Sequence, residues 1–226
     1  MAGKLYGIGV GPGDPELLTI KALRLIRASD VIAVPGKTAQ GSVAYNIVEQ
    51  SYPELADKEV VAIYMPMTKD PEELKKNHEA GAFVIESLLK QGKQVAFLTL
   101  GDPTVYSTYI YIHARIEAEG YDTEIVSGIT SFCAASARLN IGLVEKAQPL
   151  HIIPASYQIE DALALKGTKV LMKAGTKMKE VKELLKARNA NVLMVENCGM
   201  AEEKIYRSVD EIPEEAGYYS LIIVKE

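Results

Sequence analysis

The chain has 226 residues, 48% of them hydrophobic and 24% charged, with a net charge of −5 and lysines and arginines scattered rather than clustered. That is enough for one large or two small domains with a sizeable core, and it points away from nucleic acid or an anionic membrane surface as a partner. No apolar run approaches the about eighteen residues of a membrane span, so a cytoplasmic location is the default expectation.

Short apolar runs alternate with helical periods through the first part of the chain. Strands are expected at 5–10, 31–34, 60–65, 94–100 and 123–126, with helices near 15–28, 41–51, 70–91 and 104–119 between them. Strand, helix, strand in repetition predicts a largely parallel sheet covered on both faces, whose ligands sit beyond the carboxyl ends of its strands. From about Leu139 the pattern changes. Residues 140–148 show no period, and strands follow at 150–154, 168–172, 191–196, 204–208 and 218–224 around one strong helix at 177–188. More strands per helix predicts a mixed sheet. The expectation is therefore an α/β protein of two α/β domains, 1–139 and 140–226. No Ser/Gly-rich linker joins them, so they should pack closely and leave a cleft.

The most informative stretch is Leu5 to Thr19, LYGIGVGPGDPELLT, an apolar strand running into a glycine-proline turn and a helix start. Gly7, Gly9, Gly11 and Gly13 stand at every second position, so one face of the strand end is bare and a ligand or neighbouring strand can approach closely. Asp14 offers an N-cap carboxylate, Pro15 suits the first helical position, and Glu16 puts negative charge in the first turn. Two phosphate-binding readings fail on spacing. The dinucleotide pattern would need glycine where Pro12 or Asp14 stands, and a P-loop around Gly36-Lys37-Thr38 would need one at Val31. A glycine loop for a cationic or neutral nucleotide-like ligand survives.

A second apolar strand, in Phe97 to Tyr109, FLTLGDPTVYSTY, ends in Gly101-Asp102-Pro103 before the helix expected from Thr104. Gly101 and Asp102 then lie beside the first glycine loop if the two strands are neighbours. Asp102 is placed to face a ligand, or else to close an Asx turn before proline. Val126-Ser127-Gly128-Ile129-Thr130-Ser131 adds a third strand-to-helix junction with short hydroxyls. Cys133 and Cys198 lack a Cys-x-x-Cys partner, and His78, His113 and His151 are unclustered, so neither a disulfide framework nor a protein-bound metal is expected. His78 reads as a surface residue and His151 as a satisfied structural one.

The run from Gly9 through Gly11-Pro12-Gly13-Asp14-Pro15-Glu16-Leu17-Leu18-Thr19, then Gly101-Asp102-Pro103, then Gly-Ile-Thr-Ser at 128–131, resembles the signature set of the tetrapyrrole methyltransferases, which use S-adenosylmethionine. Order, spacing and length match over essentially the whole chain. Within that family, GKLYGIGVGPGDPELLT, FLTLGDPTVYSTY and GITSFCAA are most similar to the precorrin-2 C(20) branch of cobalamin synthesis, cobalt-factor II enzymes included. One departure is Ser127, where many members carry proline, a change to loop stiffness more than to chemistry.

The resemblance implies two α/β domains with S-adenosylmethionine in the cleft, held mostly by backbone. It implies Pro12 near the cofactor, Gly101, Asp102 and Val105 around its methionine part, and Thr130 and Ser131 in the same wall. Met172, with Asn197 and Gly199 of the Glu196–Gly199 turn and the final strand around Ser220, would cover the adenosine. The implied substrate is a tetrapyrrole, precorrin-2 or cobalt-factor II, and relatives of this kind are commonly homodimers. Gly11, Lys37, Tyr106 and Ser107 are the expected substrate contacts, Lys37 because the substrate carries carboxylates; Arg115 and Lys146 are further basic candidates. In-line displacement at the sulfonium methyl by a ring carbon asks the protein mainly to align the reactants and exclude water. A proton must still leave the ring, and Asp102 and Tyr106 are the catalytic candidates for taking it. Tyr106 and Tyr109 should share a helix face. The alternatives are a methyltransferase for another tetrapyrrole ring carbon or for a modified protein histidine, and a non-catalytic S-adenosylmethionine-binding regulator.

Overall fold

The structure, a computed structural model, describes residues 2–66, 68, 70–154 and 159–226, with the side chain of residue 176 outside the description. A first compact unit, Met1–Thr130, contains β1 (Lys4–Gly9), α1 (Ile20–Ala28), β2 (Val31–Pro35), α2 (Val43–Ser51), β3 (Glu59–Ile63), α3 (Pro71–Lys90), β4 (Val95–Thr99), α4 (Tyr109–Ala118) and β5 (Asp122–Val126). Its five strands are all parallel, in the order β3-β2-β4-β1-β5. Strand alternation makes the layers. Ile32, Val34, Ala96 and Leu98 pack with Leu25 and Ile26 of α1 and Ile47 and Val48 of α2. Val31, Ala33, Val95 and Phe97 pack with Ile85 and Leu89 of α3 and Ile112 and Ile116 of α4. Each large apolar side chain so buried is worth about 1.5–3 kcal/mol, and the same strands hold both helical layers.

The crossovers locate the ligand edge. From β1 the chain passes over β4 to reach β2, and from β4 it passes over β1 to reach β5, so the two following loops leave toward opposite faces. Such a topological switch point is where an open α/β sheet forms its crevice.

The second unit, Ser131–Glu226, contains α5 (Ser131–Leu139), β6 (Leu150–Pro154), α6 (Ile159–Leu163), β7 (Thr168–Met172), α7 (Met178–Ala187), β8 (Asn191–Glu196), β9 (Lys204–Tyr206) and β10 (Ser220–Lys225). Its sheet, in the order β6-β7-β10-β8-β9, is mixed as expected, with β6 and β7 parallel and the other pairs antiparallel. Leu171, Met194 and Ile222 pack with α6 and α7 through Ile159, Leu163, Val181 and Leu185. Val170, Val195, Leu221 and Ile223 pack with Ala135 and Leu139 of α5. That contact brings the division between the units forward to Thr130/Ser131 from the expected 139/140, because α5 buries its apolar side on the second sheet.

Three local expectations are corrected. Segment 15–28 is not one helix: Asp14 accepts the Glu16 N–H at 2.8 Å and caps a single 3₁₀ turn at Pro15–Leu17, after which Thr19 caps α1 by accepting the Ala22 N–H at 3.1 Å. The helix expected from Thr104 begins at Tyr109, because Tyr106 sits at φ +51° and Asp102 and Ser107 bind the loop's own N–H groups; Tyr106 therefore shares no helix face with Tyr109. His78 is buried rather than on the surface, its ring stacked 4.7 Å from that of Tyr111, and burial with the nearby Arg115 charge lowers its pKa.

The buried ring of Tyr109 occupies the space beside Gly7, where an added Cβ would stand 2.0 Å from it. Gly7→Ala is accordingly expected to cost about 1–3 kcal/mol, read as a lower urea midpoint with an unchanged slope.

Candidate functional site

The strands β1 and β4 are neighbours, and their pairing continues past their ends. The Val10 N–H donates to the Thr99 carbonyl at 3.0 Å. One step further, Gly11 N–H donates to the Gly101 carbonyl at 3.2 Å and Gly101 N–H to the Gly11 carbonyl at 2.8 Å, an antiparallel bridge capping a parallel pair. β5, on the other side of β1, brings in the third loop. A Cβ on Gly9 would stand 2.6 Å from the Gly101 carbonyl oxygen, and one on Gly128 only 2.2 Å from it. The three loops thus meet backbone to backbone, and side chains at these positions would prevent it.

Asp102 ties the junction together. Its Oδ1 accepts the Thr104 N–H at 2.8 Å and the Thr104 hydroxyl at 2.5 Å, and its Oδ2 accepts the Gly128 N–H at 3.0 Å. The Asx turn is therefore present, and the second oxygen crosses to the third loop. With only 7% of the residue exposed, the carboxylate is engaged inside the protein. Val105 N–H donates to the Asp102 carbonyl at 3.2 Å. The Ser107 hydroxyl lies 2.8 Å from that of Thr99 at the end of β4 and accepts the Tyr109 N–H at 3.2 Å. Tyr106 stands 49% exposed between them on its left-handed turn.

The remaining first-unit candidates fall at the same strand ends. Pro12 is buried within the first loop. Lys37 follows β2, exposed, with its ammonium 5.7 Å from the ring of Tyr64, a neighbour from the end of β3 that the sequence reading did not single out. Arg115, by contrast, pairs with Glu79 at 3.4 Å. Two observations suit a small ligand at this edge. The Oγ1 of Thr130 is buried with no hydrogen-bond partner among the described residues, and the space into which a Gly101 side chain would project is open, with no atom within 4 Å. Among the described residues, no group of three His, Cys, Asp or Glu is placed to hold a metal ion, and no helix is long and apolar enough to cross a membrane.

Ser131 opens α5 and so belongs to the second unit. Within that unit the other candidates share one sheet edge, because β10 runs antiparallel to both β7 and β8, pairing Leu221 with Met172 and Ser220 with Glu196. Asn197 (φ +53°) and Gly199 (φ +76°) form the turn after β8, and the Asn197 N–H donates to the Tyr219 carbonyl at 3.1 Å. Glu196, 8% exposed, accepts the Gly217 N–H at 2.7 Å and the Tyr206 hydroxyl at 3.3 Å; burial first and then this carboxylate push the Tyr206 pKa up.

A family profile described as tetrapyrrole (corrin/porphyrin) methylases matches residues 4–212. The chain belongs to this family. The family's chemistry is S-adenosylmethionine-dependent methylation of tetrapyrroles. A relative from Methanocaldococcus jannaschii, named a probable cobalt-precorrin-2 C(20)-methyltransferase, is 37% identical over 98% of this chain and 96% of its own. A precorrin-2 C(20)-methyltransferase from a Sinorhizobium species is 30% identical over 98% and 95%. The crystal structure of a cobalt precorrin-4 methyltransferase shares the fold with a TM-score of 0.76, at 24% identity over 98% of this chain and 94% of its own.

For this methylase, Asp102→Asn leaves one of the two loop contacts facing an amide nitrogen. We expect a loss of about 1–3 kcal/mol, seen as a lower melting temperature and faster amide exchange at Gly128, with the amides of β8 and β10 unchanged.

Proposed function

We propose that the chain transfers a methyl group from S-adenosylmethionine to carbon 20 of precorrin-2 or its cobalt-bearing counterpart in corrin synthesis. The observation that carries this reading is the junction of three glycine loops at the sheet's switch point, beside an unpartnered buried hydroxyl and the open space at Gly101. The relatives' shared C(20) names support the choice of ring carbon.

S-adenosylmethionine supplies a methyl on a positively charged sulfur, with a neutral thioether as leaving group. Gly101, Val105, Pro12 and the Thr130 hydroxyl are the residues we assign to hold it, with Ser131 following, and Met172, Asn197 and Gly199 as contacts to its adenosine part. Asp102 acts by positioning, since its oxygens already accept bonds from two loops. Gly11, Ser107, Tyr106 and Lys37 are assigned to the substrate, with the Lys37 ammonium for a carboxylate. With Asp102 so engaged, the ring proton is left to Tyr106 or to solvent. The chain's task on this account is alignment and exclusion of water, which is worth several orders of magnitude without a strong general base.

The test is anaerobic incubation with labelled S-adenosylmethionine and, separately, precorrin-2 and cobalt-factor II, with mass spectrometry and NMR of the products. One added methyl at carbon 20 is expected from at least one of them. A methyl on another carbon overturns the regiochemistry, and donor binding without methylation of either substrate overturns catalysis of this step.

A further inference from the structure

We propose that Glu203 is a positioning residue that holds the Asn197–Gly199 turn in the shape that meets the methyl donor, with Arg138 fixing Glu203 in turn. The inference deepens the preceding reading and rests on its assignment of Asn197 and Gly199 to the donor.

The turn leaves β8 through two left-handed positions, Asn197 at φ +53° and Gly199 at φ +76°. Asparagine tolerates that region better than most residues, but it holds it only where the surroundings impose it. Short bonds within the turn do part of this work. Met200 N–H donates to the Asn197 carbonyl at 2.9 Å, and the Asn197 amide donates to the Glu202 carbonyl at 3.3 Å. Neither satisfies the Gly199 N–H, which donates to Oε2 of Glu203 at 2.8 Å. The other oxygen, Oε1, accepts from Nε of Arg138 at 2.5 Å.

This single carboxylate therefore joins the turn to α5, the helix whose Ala135 and Leu139 are set in the core against β7, β8 and β10. The Glu203 side chain is only 12% exposed, so its bond to the glycine N–H is charge-assisted and partly shielded from water. Arg138, 60% exposed, adds little as an ion pair, and its effect is to orient the carboxylate. The core of the unit is made by its strands with α5, α6 and α7. Loss of the carboxylate should therefore spare the fold while releasing the Gly199 N–H and the left-handed shape of the turn.

The test measures the dissociation constant of S-adenosylhomocysteine by titration calorimetry, the donor and tetrapyrrole KM, kcat at saturating donor, and melting temperature. For Glu203→Ala we expect donor KM and the dissociation constant to rise about tenfold, with kcat and the tetrapyrrole KM within about twofold of the parent. Glu203→Gln keeps a neutral acceptor and should show a smaller rise, about threefold. Arg138→Ala should act in the same direction and combine less than additively with Glu203→Ala. Unchanged donor affinity in Glu203→Ala overturns the proposal, as does a loss shared equally by melting temperature, kcat and both KM values. Failure of the parent protein to bind S-adenosylhomocysteine overturns the donor reading itself, a result distinct from equal binding by parent and variant.

Discussion

The close backbone contact of Gly9, Gly101 and Gly128 sets the geometry on which the first unit's functional edge depends. Loops after parallel strands diverge into their helices, and their N–H and C=O groups lose ladder partners where a ligand must approach. Here the reciprocal Gly11 and Gly101 bonds carry β1 and β4 one step past their ends, and Asp102 then takes the Gly128 N–H from the loop after β5. A side chain at Gly9 or Gly128 would push the loops apart, whereas one at Gly101 would project into open space. The edge is therefore closed by bare backbone, and the open side of Gly101 and the Thr130 hydroxyl, the features assigned above to the donor, lie beside it.

Much of this was legible in the sequence because parallel strands buried on both faces are written as short apolar runs between helical periods. The strands 31–34, 94–100 and 191–196 lie within about a residue of β2, β4 and β8. The bare glycine face was legible too, but its occupants were not: Tyr109 fills the space at Gly7, and Gly101 with Gly128 fills that at Gly9. The helix start near 104 was misplaced because an apolar period runs on through Val105 and Tyr106, whereas side-chain bonds to the loop backbone decide the helix start. Likewise, the third junction leads into α5, but nothing in its sequence says that Ala135 and Leu139 are buried on the second sheet. Glu203 gave no signal at all, since Ala201-Glu202-Glu203-Lys204 reads as a solvated run until the turn folds back on it.

The two units, unlike in topology, solve the same local problem with the same chemistry. Asp102 accepts from Gly128 at 3.0 Å, Glu196 from Gly217 at 2.7 Å, and Glu203 from Gly199 at 2.8 Å. In each case a loop at a sheet edge has an N–H without a strand to receive it. A carboxylate supplies an acceptor that needs no further strand, and a glycine lets it come close. Each of these carboxylates also takes a side-chain donor, from Thr104, Tyr206 and Arg138 in turn, so that each ties loop backbone to a neighbouring side chain. Such an arrangement suits methyl transfer to an electron-rich carbon, where alignment and exclusion of water lower the barrier more than a strong base would.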